Sequence, residues 1–280
     1  MRNAVGRVAT RVVVLSIAAA AAGACGCAPK DPGAGARGTA SRRAELAGGY
    51  QAFEQRRYDE AIQSAERVLA EDSTGPGSAE ALYLQGRVHE QKAKDAAGAA
   101  EAKTHLREAQ GLYLRALSMA PPQPLEAYAH AGLANVSYFL EDYPAAAREW
   151  AAAYPHITEP DAKAWVAYRA GLSEQRRGNF AAADQHFAEV QQQFPASEQA
   201  RRAATHQGAK AFHVQVGIFS TAANAQNAVA RLKAQGFSPV RSTDPQGRQV
   251  IGVGPIPSYQ QAKAMRERLS GQYPGAAIVP

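Results

Sequence analysis

Cysteine is nearly missing: the 280 residues hold two, Cys25 and Cys27. They cannot supply a disulfide framework or a four-thiolate zinc site. Long apolar runs are missing as well. The best, Val12 to Ala22, covers eleven positions, whereas a membrane-spanning helix needs about 20. Catalytic signatures are also lacking. The seven histidines (His89, His105, His130, His156, His186, His206 and His213) are scattered, and none forms a His-Glu-x-x-His pair. There is no Gly-x-Ser-x-Gly elbow and no phosphate loop. Gly252-Val253-Gly254-Pro255 lacks the third glycine of a dinucleotide fingerprint. The acidic pairs Glu71-Asp72 and Glu141-Asp142 fall at expected helix ends, where carboxylates are solvated. The expectation is a non-enzyme with no catalytic residue, no metal site and no cofactor.

Of the residues, 46% are hydrophobic, many of them alanine. This favours helices with small-residue seams, because alanine loses no side-chain entropy on entering a helix. The charge is uneven. From Lys210 onward there are eight Lys or Arg against Asp244 and Glu267, which accounts for the whole net charge of +6. A basic tail domain on a neutral body suits an anionic polymer or surface.

Arg2, Arg7 and Arg11, the apolar run and the small residues before Cys25 describe a secretory signal over residues 1–24. Ala22-Gly23-Ala24-Cys25 resembles a bacterial lipobox, which implies lipidation of Cys25, with Cys27 as the alternative acceptor, and a lipid anchor in the outer membrane. Ala22-Gly23-Ala24 also reads as an ordinary cleavage site giving a soluble periplasmic protein. Residues 25–43, rich in Pro, Gly and Ala, read as a flexible tether.

Residues 44–209 carry a repeat. Ala61, Ala65 and Val68 share the i, i+4, i+7 spacing of one helix face with Ala109, Tyr113 and Ala116. Ala146, Trp150 and Ala153 repeat it, as do Ala183, Phe187 and Val190. A large residue precedes each set by three positions (Tyr58, Leu106, Tyr143, Phe180), and small residues lie twelve before it in three cases (Gly49, Ala134, Gly171). The opening alanines are 48, 37 and 37 apart. The excess of eleven is about three helical turns, placed in the Ala/Lys-rich stretch 92–103, so it can lengthen helices without rotating their buried faces. The pattern resembles the tetratricopeptide repeat (TPR). That implies an α-solenoid of about four helical hairpins whose concave groove takes a protein or peptide partner. Trp165, Tyr168 and Tyr128 are either groove residues or packing, and an alanine-rich bundle is the alternative architecture.

Over 210–280 the texture changes. Strands are expected at 212–219, 238–242, 248–253 and 276–279, with helices at 222–235 and 258–270, in the order βαββαβ. Val-Gln-Val-Gly-x-Phe from Val214 and Val-Gly-Pro from Val253, each followed by an Ala-to-Leu helix register, resemble the SPOR (sporulation-related repeat) domain. The resemblance implies an RNP-like α+β fold. It also implies binding of peptidoglycan, especially septal glycan strands stripped of stem peptides. Strand alternation sends His213, Gln215, Arg248 and Val250 to the open side of the sheet. These are the candidate glycan contacts, together with Ile218, which replaces a smaller family residue. The family's strand arginine falls at Val250, with Arg248 two positions earlier. Paired strand aromatics on which bases could stack are absent, so nucleic acid is not an expected partner. The expected role is in cell division or envelope maintenance.

Overall fold

The computed structural model describes residues 34–280, Pro76 excepted; the apolar leader, Cys25 and Cys27 lie outside the described residues. Eight helices form four successive hairpins: α1 (Ala34–Glu54) with α2 (Tyr58–Glu71), α3 (Ser78–Asp95) with α4 (Ala99–Ser118), α5 (Leu125–Phe139) with α6 (Tyr143–Ala153), and α7 (Pro160–Arg176) with α8 (Phe180–Gln193). A short α9 (Glu198–His206) covers the end of the array. This is a TPR-like solenoid. α1 reaches back over residues expected to belong to the tether. From Pro32 to Pro76 no proline interrupts the chain, and the good helix formers Ala and Arg offset the glycines at 35 and 38. Among the described residues no helix is long and apolar enough to cross a membrane.

All twelve residues of the four repeated faces are fully buried, each at 0% exposure, so the 37-residue spacing is the spacing of the core. The eleven-residue insertion is shared between α3 and α4, which meet at a tip over residues 96–98. Ala109, Tyr113 and Ala116 keep their register on the far side of it. Five residues before the opening alanine, the turn inside three hairpins adopts a left-handed backbone: Arg56 (φ 61°), Glu141 (φ 67°) and Gly178 (φ 89°). One position later, Asp142 and Asn179 accept hydrogen bonds from the backbone N–H groups of Ala145 and Ala182, capping α6 and α8.

Helix contacts depend on missing side chains. A Cβ on Gly132 would lie 2.5 Å from the Tyr113 ring, and one on Gly171 2.6 Å from the Phe187 ring. Neither ring is at the end of a flexible chain, so relief requires helix displacement. Gly132→Ala is expected to destabilise the array by about 1–3 kcal/mol, as overpacking does. Urea denaturation of the two proteins checks this.

The C-terminal domain comprises β1 (Phe212–Phe219), α10 (Ala222–Ala234), β2 (Pro239–Thr243), β3 (Gln249–Ile256), α11 (Tyr259–Ser270) and β4 (Ala277–Val279). Thr221 and Ser258 cap its helices. The antiparallel sheet has the order β2-β3-β1-β4. Ala225, Leu232, Ala262 and Leu269 from the helices pack on Phe212, Val214, Val216, Ile251, Val253 and Ile256, leaving the other face of the sheet without helices.

The two domains touch. Tyr259, at the start of α11, sits between Phe212 (ring centroids 5.5 Å) and Tyr143 (5.8 Å), with the Arg176 guanidinium 3.8 Å from its ring centroid. Phe180 packs on Phe212 at 5.3 Å, and Lys263 pairs with Glu141. In the five-residue link, the Gly208 N–H donates to Asp184 and Lys210 lies 3.5 Å from the same carboxylate. The contact uses the helix side of the small domain, so the opposite sheet face stays clear of the array. Tyr259→Ala is expected to remove about 2–4 kcal/mol of coupling, from one cation–π and two aromatic contacts. Calorimetry should then resolve two unfolding transitions in place of one.

Candidate functional site

The open sheet face is built from strand register. Ile218 lies opposite Val250, which lies opposite Ser242. The next row is Ala277, Gln215, Gly252 and Val240, and beyond it His213 lies opposite Val279. A bulge in β1 between Gln215 and Gly217, where two steps on β1 oppose one on β3, lets Gln215 and Ile218 share this face although they are three residues apart. The central strand contributes little relief. A Cβ on Gly254 would meet the His213 ring at 2.6 Å, and one on Gly252 would meet a Val240 methyl at 3.4 Å. Side chains of the flanking strands therefore lean over the two glycines, and the surface is broad and shallow. His213, Gln215 and Val250 are half-buried on it, while Ile218 is 44% exposed.

Arg248 departs from the expectation. β3 starts at Gln249, and Arg248 belongs to the turn before it. Asp244 accepts the Arg248 backbone N–H at 2.8 Å and its guanidinium at 2.6 Å. Desolvation works to raise the Asp244 carboxyl, but these hydrogen bonds and the positive charge outweigh it and hold the pKa below the usual range. Strand alternation assumed that the pleat continued one residue too far back. The Asp244-Pro245-Gln246-Gly247 turn closes on Arg248 instead and holds its charge at the end of the sheet.

The solenoid forms a second candidate site. Its inner helices α1, α3, α5, α7 and α9 border a cavity of about 780 Å³ with Tyr50, Phe53, Tyr83, Trp165, Arg87 and Arg169 on its walls. Tyr128 and Tyr168 line it too, and both are also packed into the core, so the two sequence readings of these aromatics coexist. A buried polar chain crosses the floor. Tyr113 donates to Glu90 at 2.8 Å, Asn135 also donates to Glu90, and Arg169 donates to the Asn135 carbonyl oxygen at 2.7 Å. It joins α4, α3, α5 and α7. Arg169 stacks 4.0 Å from the Tyr138 ring centroid, burial lowers its pKa, and its Nε has no hydrogen-bond partner among the described residues. Sequence reasoning missed Arg169 and Arg87, since a lone arginine in a helix reads as a solvated one.

A third cluster lies in the second hairpin, apart from both of these sites. His89 of α3 and His105 and Glu108 of α4 bring their donor atoms within 4.8 Å of one another.

These features define a binding protein made of a helical repeat array and a small basic α+β domain. The domain is a SPOR domain: the family profile of that name matches residues 208–280. SPOR domains bind peptidoglycan, and neither domain type is catalytic. Solved structures similar to the chain include YrrB, described as a TPR protein with an unusual peptide-binding site, at 20% identity over 59% of this chain and 73% of that one (TM-score 0.47). Others are a thermophilic TPR protein of Thermus thermophilus (17% identity, 59% and 98% covered, TM-score 0.38) and a tetratricopeptide repeat protein of Parabacteroides merdae (17%, 60% and 59%, 0.47). No curated protein matches the chain significantly. The repeat assignment rests on the chain's own hairpins and buried faces.

Proposed function

We propose that the protein holds a partner in the bacterial envelope at the cell wall. Its SPOR sheet binds glycan strands stripped of stem peptides, and its solenoid groove takes a protein or peptide. The observation that carries this reading is the helix-free face of the SPOR sheet, turned away from the array on a domain that holds all of the chain's net positive charge. A sugar polymer needs a broad surface with hydrogen-bonding groups, and Gln215 offers both a donor and an acceptor. The leader and lipobox-like Cys25 place the protein, on this reading, at the periplasmic face of the outer membrane, with a role in division or envelope maintenance. Binding to sacculi is expected to rise several-fold after amidase removes stem peptides, as measured by co-sedimentation. Equal binding before and after treatment would refute the preference for denuded glycan.

A second reading is favoured by the groove with its buried, partly unpaired Arg169. Here the array is a scaffold for envelope machinery of the outer-membrane assembly or Tol–Pal type, and the SPOR domain only positions it. The two readings differ in whether dispersing the partner leaves wall retention as the protein's main activity.

A further inference from the structure

The cluster at His89, His105 and Glu108 lies outside both candidate sites, in the hairpin lengthened by the insertion. The Nδ1 atoms of the two histidines are 3.3 Å apart. Glu108 Oε2 is 2.6 Å from one and 2.9 Å from the other. Three atoms with lone pairs thus converge on one point from two helices. Their spacing has a chemical counterpart. Zinc–nitrogen bonds of about 2.0–2.1 Å in a tetrahedron separate neighbouring donors by about 3.3 Å. The histidine pair already has that separation. The carboxylate must retreat by roughly half an ångström or slightly more to reach that separation, and it belongs to an exposed residue with room to do so. The histidines are only half-buried, so an ion can reach them from solvent. Lys92, the nearby cation, is drawn aside by Asp59 at 2.9 Å.

We propose that His89, His105 and Glu108 form a binding site for a divalent transition-metal ion across the α3–α4 hairpin. Two imidazoles and one carboxylate suit zinc, with nickel and copper as chemical competitors. Three protein ligands leave a tetrahedral ion one further position, for water or for a donor from a partner. A bound ion clips the two lengthened helices together eight residues from the Ala97 tip on either side, and so stiffens the part of the array that departs from the 37-residue spacing.

The test is calorimetric titration of zinc into the full, untagged chain carrying Cys25→Ser and Cys27→Ser, so that no thiolate competes. One ion per chain is expected. At a hundredfold excess over the dissociation constant, zinc should raise the unfolding midpoint by about 5–10 °C. Cobalt should show the visible absorption of a tetrahedral site. His89→Ala with His105→Ala removes two of the three ligands and should abolish stoichiometric binding while leaving the helical circular dichroism unchanged. The exposed Glu108→Gln, which leaves the packing intact but exchanges a charged ligand for a neutral amide, should also weaken binding. Failure of the wild-type chain to bind stoichiometrically, or unchanged affinity in either variant, would overturn the proposal and leave the three side chains as a hydrogen-bonded group.

Discussion

Deletion of residues 208–280 is expected to abolish retention on purified sacculi while leaving the solenoid folded. The SPOR domain has its own core of ten buried residues, distinct from the core of hairpins two to four. What is lost from the array is the contact of Tyr259, Phe212 and Lys263 with Tyr143, Arg176, Phe180 and Glu141, and that of Gly208 and Lys210 with Asp184. A repeat array tolerates this, because each unit is stabilised mainly by its neighbours. Removing the domain also removes the whole net charge of +6, so any electrostatic attraction to the wall goes with it. Co-sedimentation of the truncated chain, with circular dichroism as the folding check, reads both halves of the prediction. Full retention without residues 208–280 would assign wall binding to the array or the leader.

The largest stability effect of a single substitution is expected at Trp150. Its side chain is fully buried on the α6 face and meets Trp165 edge-on at 5.0 Å. Trp150→Ala is expected to cost about 3–5 kcal/mol, a cavity-forming loss. That is a large share of the roughly 5–15 kcal/mol that holds a typical domain. Trp150→Phe should cost far less. The indole N–H is buried without a hydrogen-bond partner among the described residues, so replacing it removes an unsatisfied donor, which offsets part of the lost volume. Equilibrium urea unfolding of the three proteins gives the comparison. Because Trp150 props Trp165, a groove wall, the alanine variant should also lose partner binding before it loses wall binding.

Much of this architecture was readable from spacing. The i, i+4, i+7 faces at Ala61, Ala109, Ala146 and Ala183 are those of the core because a helix can bury only one stripe. The eleven-residue insertion was legible because it preserves helical phase. In the SPOR domain β1 covers 212–219 as expected, since buried and half-buried residues alternate from Phe212 to Gly217, but the bulge that brings Ile218 onto the Gln215 face left no mark in that alternation. Arg248 falls one residue before β3 and not within it, because alternation carries no signal for where a strand begins. Asp244, four residues earlier in an Asp-Pro-Gln-Gly turn, was the available clue. His89 and His105 looked unrelated at sixteen residues apart. With the tip at 96–98 the two are equidistant from Ala97 and so at the same height on neighbouring helices, while the packing of α3 on α4 turns their rings toward each other. The domain contact through Tyr259 and Arg176 had no such signal, because it depends on how two separately patterned units meet.

The central claim is that the open face of the SPOR sheet binds glycan. It is tested most directly by the affinity of the full chain for amidase-treated sacculi, with and without His213→Ala and Gln215→Ala. Each side chain stands for one or two hydrogen bonds worth about 0.5–1.5 kcal/mol each, so the double variant should bind about tenfold more weakly with its unfolding midpoint unchanged. An unchanged affinity in a folded double variant would contradict the account and move the glycan site off this face.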